Sequence, residues 1–197
     1  MTTLTPATGH GAGLAPSDWL MRHSRDLAAA RRVLDLACGG GRHARWLAAQ
    51  GHAVTALDRD AEALASLQGI ATECIEADIE AGPWPLAGRS FDLVVVTNYL
   101  WRPLFPAVVA SVAPGGRLIW ETFALGQEQH GRPSRPDFLL RPGELLTLAG
   151  PELRVGAYED GLVVGSPEHP EAGATRRVQR IVLDRVGADG VPPVLRL

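Results

Sequence analysis

The segment Val33-Leu34-Asp35-Leu36-Ala37-Cys38 runs directly into Gly39-Gly40-Gly41, and Arg42-His43-Ala44-Arg45-Trp46-Leu47 then follows a helical pattern. A short apolar strand, a glycine turn and a helix start are the parts with which an α/β sheet presents backbone N–H groups to a nucleotide-like ligand. Seventeen residues beyond Gly41, a second apolar run, Ala53-Val54-Thr55-Ala56-Leu57, ends in Asp58. A carboxylate at that point is placed to accept hydrogen bonds from two ribose hydroxyls. The stretch therefore implies a parallel sheet and a nucleoside-bearing ligand.

The rest of the chain continues the same alternation. Strands are predicted at 32–37, 52–57, 72–77, 91–97 and 117–123, with helices at 42–50, 61–67 and 103–112 between them. The run Phe91-Asp92-Leu93-Val94-Val95-Val96-Thr97 is continuously apolar after Asp92, as a central strand buried on both faces should be. Alternation at this spacing gives a doubly wound, Rossmann-like α/β sheet with right-handed crossovers. After Phe123 come a long loop at 126–142, a short helix at 144–148 and two further strands at 153–164 and 176–186. The short 165–173 connection requires those two to pair antiparallel. The expected architecture is five parallel strands closed by an antiparallel C-terminal hairpin, seven in all. Residues 1–16 read as a flexible arm and 17–197 as a single domain. Ser17 caps a helix reaching about Leu27, with Trp19, Leu20, His23 and Leu27 on the face that covers the sheet or its ligand.

Composition removes whole chemistries. All 19 basic residues are arginine, so no Schiff base, P-loop lysine or lysine general base is available. Cys38 and Cys74 have no metal-ligand or disulfide-framework spacing, and no metal site is expected. The net charge of −3 gives no broad attraction to polyanions, so a nucleic-acid partner would need a local basic patch. No apolar run is long enough to cross a membrane, and the N-terminus lacks a signal-peptide pattern, which points to a cytoplasmic setting.

Gly39-x-Gly41-x-x-Ala44 matches the dinucleotide fingerprint on paper. Two carboxylates argue against a dinucleotide. Asp35 lies two residues before the turn, where it repels a pyrophosphate and suits a cation. Asp78, followed by apolar Ile79, can accept from an exocyclic amine while Ile79 packs on an adenine ring. A site for a cation, a ribose and an adenine describes S-adenosylmethionine.

The residues 33–41 resemble motif I of the class I S-adenosylmethionine-dependent methyltransferases. Asp58 is similar to their ribose-binding acid, Ala77-Asp78-Ile79 to their adenine-binding motif, and 91–98 to their motif IV strand. The resemblance spans 32–123, and the closing hairpin is also the family's. The Cys-Gly-x-Gly-Arg-x segment and short length are more loosely similar to the small-molecule methyltransferases of the tellurite-resistance type, which implies a small-molecule substrate. Ala37 departs from the pattern, where the family often has a glycine. The resemblance implies cofactor contacts from Asp35, Ala37, Cys38, Gly39, Gly41, Asp58, Arg59, Asp78, Ile79 and Asn98. Asp35 either meets the cofactor's ammonium directly or accepts N–H bonds from the glycine loop.

Candidates on the substrate side are Trp19, Tyr99, Trp101, Arg102, Glu121 and His130. Tyr99 and Trp101 either face the sulfonium through cation–π contact or simply pack. Arg132, Arg135 and Arg141 suit either an anionic substrate or a solvated loop, and His43 reads as a capping or packing histidine. The motifs of amide-nitrogen and cytosine-C5 base methylation are absent. Three functions compete: a methyltransferase, a cofactor-binding module without turnover, and an NAD-linked oxidoreductase. The last lacks the Tyr-x-x-x-Lys relay because the chain has no lysine.

Overall fold

The computed structural model describes residues 15–28, 31–165 and 175–190. The expected arm lies outside the described residues except for Ala15 and Pro16, as does the hairpin connection beyond Gly165. Helix α1 spans Asp18–Ser24, and the first βαβ unit follows as β1 (Arg32–Leu36), α2 (Arg42–Ala49) and β2 (Ala53–Asp58). Then come α3 (Ala61–Ala65), β3 (Glu73–Glu76), β4 (Phe91–Thr97), α4 (Phe105–Ala110) and β5 (Val112–Phe123). The hairpin is β6 (Leu153–Val164) and β7 (Thr175–Arg185).

These strands make one seven-stranded sheet in the order β3-β2-β1-β4-β5-β7-β6. The first five run parallel, and β7 enters antiparallel beside β5. The order reverses between β1 and β4, and open α/β sheets hold their ligands at the carboxyl ends of such strands. Among the described residues, no helix is long and apolar enough to cross a membrane.

Two local expectations need correction. The helix predicted through residue 112 stops at Ala110, because Val112 pairs with Phe91 as the first residue of β5. Pro114-Gly115-Gly116, expected as the turn before the strand, is instead an irregularity carried within it, where the register shifts between Phe91 and Leu93. A Cβ on Gly116 would lie 2.8 Å from the Ala113 carbonyl oxygen, so only glycine fits that backbone. The second correction is α1, which ends at Ser24 rather than near Leu27.

Helix α1 is too short to hold itself together and depends on the sheet beneath it. Trp19 and Leu20 are buried with Val95, Ile119 and Val182, residues that stand side by side on β4, β5 and β7. Charged rows flank this apolar row on the same face. Above it, Glu121 pairs in register with Arg180, and Arg180 with Glu159. Below it, Arg117 pairs with Asp184, its Nε 2.6 Å from the carboxylate. Each charged row reaches up to α1: Arg180 lies 3.3 Å from Asp18, and Arg117 donates to the His23 carbonyl at 2.6 Å and to Asp26 at 2.8 Å. Apolar burial, roughly 1.5–3 kcal/mol per large side chain, supplies the adhesion. The buried ion pairs set where along the sheet the helix sits.

Candidate functional site

The turn after β1 is left-handed at alternate residues. Ala37 has φ of +53°, Gly39 +51° and Gly41 +74°. The Cys38 N–H donates to the Leu57 carbonyl, and the Gly41 N–H closes the turn on the Cys38 carbonyl. Gly41 is required twice over. Its φ is unfavourable for other residues, and a Cβ there would stand 2.4 Å from Leu67 Cδ2, whose side chain is fully buried. Gly41→Ala is therefore expected to destabilise the protein by about 2 kcal/mol, measured by urea unfolding. Gly39, with open space around its Cα, is expected to lose less.

A cavity of about 390 Å³ opens beside this turn, at the carboxyl ends of β1 to β4. Ala37, Gly39, Asp58, Arg59, Asp78, Ile79 and Asn98, all expected on the cofactor side, line it. Tyr99, expected on the substrate side, lines it as well. Asp60 and Glu80 were not foreseen. Each follows a strand-end acid within the same turn, a signal present in the sequence but weaker than the motif beside it.

Local hydrogen bonds fix the carboxylates. Asp58 Oδ2 accepts the Gly39 N–H at 2.7 Å, and its Oδ1 accepts the Asp60 N–H at 3.0 Å. The end of β2 is thus bonded directly to the glycine turn, and each oxygen keeps a lone pair. Asp78 Oδ1 accepts from the Glu80 and Ala81 N–H groups, leaving Oδ2 without a hydrogen bond among the described residues. Ile79 beside it is buried and apolar.

Across the cavity, Asn98 has φ of +53° and donates its N–H to the Glu121 carbonyl. Trp120 Nε1 donates to the Tyr99 carbonyl at 3.2 Å, and Phe105 of α4 packs edge-on to the Trp120 ring. Burial, with Glu80 and Asp78 nearby, pushes the Tyr99 phenol up, so it stays protonated. Ala37 and Asn98 are the described non-glycine residues with positive φ, and both line the cavity. Strained backbone concentrated at one cavity marks it as a functional site.

Asp35 stands behind the turn and does not line the cavity. Its carboxylate is buried, and Oδ2 makes no hydrogen bond. Burial raises its pKa to about 7, against the opposing pull of the Ala44 N–H and Arg42. His43 Nδ1 lies 4.0 Å from Asp35 Oδ1 and 3.2 Å from Thr97 Oγ1. The His43 pKa falls well below its usual value through burial and the Arg42 charge, so this is a neutral ring beside a carboxylate and not an ion pair.

Several expected residues have other roles. Cys38 and Gly41 shape the turn without lining the cavity, and burial pushes the Cys38 thiol up, which removes it as a nucleophile. Trp19 is buried under Arg180, whose guanidinium carbon is 4.8 Å from the ring centre. Trp101 packs half-buried on the core. Arg102 is a clamp: it pairs with Glu144 at 2.6 Å and donates to the carbonyls of Asp137 and Leu139, pinning the loop after β5. Glu121 is fully buried beneath α1, held by Ser17, Arg176 and Arg180. His130 is exposed at the end of a 3₁₀ turn.

A cation bearing ribose and adenine fits these groups. Asp35 Oδ2 is a buried carboxylate oxygen without a hydrogen bond, set behind the cavity wall, the lone pairs of Asp58 suit a diol, and Asp78 with Ile79 offers an acceptor beside an apolar surface. No described group of three or more His, Cys, Asp or Glu residues is arranged to hold a metal.

Comparison with known proteins agrees. Residues 33–116 match the methyltransferase domain family. A ubiquinone biosynthesis O-methyltransferase of Azotobacter vinelandii is 32% identical over 116 residues, covering 53% of this chain and 49% of that protein. A malonyl-[acyl-carrier protein] O-methyltransferase of Enterobacter lignolyticus is 44% identical over 84 residues, 38% of this chain and 33% of that protein. The chain thus spans half or less of the length of these curated relatives. The crystal structure of TehB from Haemophilus influenzae superposes with a TM-score of 0.66 at 17% identity, covering 84% of this chain and 61% of that one. Residues 33–116 thus match a methyltransferase domain, and the chain shares its fold with TehB.

Proposed function

We propose that the protein transfers a methyl group from S-adenosylmethionine to a small-molecule acceptor, with residues 17–197 acting as one domain. The observation that carries this reading is Asp58, bonded to Gly39 and Asp60 through N–H groups and still offering lone pairs to the cavity. In this reading Asp58 and Arg59 hold the ribose end, and Asp78 and Ile79 the adenine. Ala37, Gly39 and Asn98 bring backbone close to the cofactor, and Asp35 supplies the counter-charge for its amino-acid end. Tyr99, neutral and at the cavity wall, borders the path of the acceptor. Bound S-adenosylmethionine supplies an already activated methyl on a sulfonium. The protein's task is then alignment and exclusion of water, which can provide roughly 7–11 kcal/mol.

The two curated relatives described above are named as O-methyltransferases, which makes oxygen acceptors the first class to test. A reducing, cytoplasmic setting belongs to the same reading, supported by Cys38 and Cys74 standing as free thiols. Two measurements test it: calorimetry with S-adenosylhomocysteine, and incubation of methyl-labelled S-adenosylmethionine with fractionated small molecules. Binding plus label transfer is expected. Absence of binding at millimolar cofactor would sink the reading, whereas binding without transfer to any fraction would favour a module that only binds.

A further inference from the structure

We propose that His43 is a positioning residue for the amino-acid end of the cofactor, tying the N-cap of α1 to the carboxyl end of β4 so that Thr97, and with it the Asn98 backbone at the cavity wall, keeps its place. The inference rests on the cofactor reading above. The Ser17 backbone N–H donates to His43 Nε2 at 3.2 Å, so that nitrogen is the acceptor and the ring proton sits on Nδ1. Nδ1 then donates to Thr97 Oγ1 at 3.2 Å. Both ring nitrogens are committed, and the ring is buried.

The partners show why this is more than packing. Thr97 immediately precedes Asn98, whose strained backbone lines the cavity. Asp35, 4.0 Å from Nδ1, carries the buried oxygen that no protein group satisfies. Ser17 passes the connection on, its hydroxyl donating to Glu121 at 3.3 Å while accepting the Leu20 N–H at 3.4 Å as the cap of α1. An apolar residue of similar volume would fill the space in α2 equally well, but it would release the Ser17 N–H and Thr97 together. Two buried polar groups would then be left unpaired directly behind Asn98, whose backbone lines the cavity.

The test compares two ligands on the full chain by calorimetry: S-adenosylhomocysteine, and 5′-methylthioadenosine, which lacks the amino-acid end. His43→Leu is expected to weaken S-adenosylhomocysteine about tenfold or more and methylthioadenosine by less than about twofold. His43→Gln, whose amide oxygen can reach the Nε2 position and accept from Ser17, is expected to stay within about threefold of wild type for both. Thr97→Val, nearly isosteric and suited to a strand, is expected to show the same selective loss at smaller size. If His43→Leu fails to fold by circular dichroism, Thr97→Val decides. Equal weakening of both ligands, or no loss in the folded variants, overturns the role of His43 and leaves the cofactor reading standing. A wild-type protein that binds neither ligand overturns both.

Discussion

Asp58→Asn is expected to weaken S-adenosylhomocysteine binding at least about 100-fold while leaving the protein folded. The wild-type carboxylate accepts one backbone N–H on each oxygen and keeps a lone pair on each for the ligand. Hydrogen bonds to a charged group contribute about 1.5–3 kcal/mol each, and a ribose diol makes two. Asparagine keeps one acceptor and turns the other into a donor. That donor faces either the Gly39 N–H or a ribose hydroxyl, so the substitution removes a bond and opposes another. Adenosine and its 2′,3′-dideoxy form provide the control. Wild type is expected to prefer adenosine, and Asp58→Asn to lose the preference. A variant that keeps the preference would move the ribose away from Asp58.

The parts of this site that were legible in the sequence are those fixed by local chemistry. A strand ending in glycines requires positive φ, and an acid closing the next strand sits beside that turn in any parallel sheet. Residues 33–41, Asp58 and Asp78 were therefore readable. The strand 91–97 was readable to the residue, because a run buried on both faces has no second register to choose. The end of α4 was not. Val112 belongs to β5 because Phe91, far away in sequence, pairs with it, and the helical pattern contains no trace of that partner.

Side chains whose partners depend on register across the sheet were misread for the same reason. Glu121 and Arg180 are 59 residues apart and meet only because β5 and β7 pair as they do. From sequence, Glu121, Trp19 and Arg102 were candidates for contact with the substrate, with Trp19 also on a helix over the sheet. Helical periodicity gave the buried face of α1 but not the charged rows that place it. His43 was legible as a packing histidine in α2. Its link from Ser17 to Thr97 needed all three elements in place.

Asp35→Asn is expected to remove from the pH dependence of stability and of ligand binding the share that this carboxylate carries. The folded-state pKa of Asp35 is raised from 3.8 to about 7, mainly by burial. Between those values the folded protein holds a proton that the unfolded chain has lost. Stability therefore falls as pH rises from about 4 to about 7 and then levels, a loss of about 4 kcal/mol for the ligand-free protein. In melting temperature this is a drop on the order of 10 °C between pH 5 and pH 8 attributable to Asp35. Asparagine has the same shape and no charge, so the variant's melting temperature at pH 8 is expected to gain on wild type by that margin relative to pH 5.

Binding moves the opposite way. A ligand ammonium pairs with the ionised form, so S-adenosylhomocysteine is expected to bind wild type about tenfold more tightly at pH 8 than at pH 6. The Asn variant should be weak and flat across that range. If both slopes are found, Asp35 destabilises the empty protein at neutral pH and favours a bound cation, the stability–function conflict expected of a buried acid built for a ligand. Equal pH slopes for wild type and Asp35→Asn, in melting and in binding, would assign the carboxylate to the architecture of the glycine turn alone.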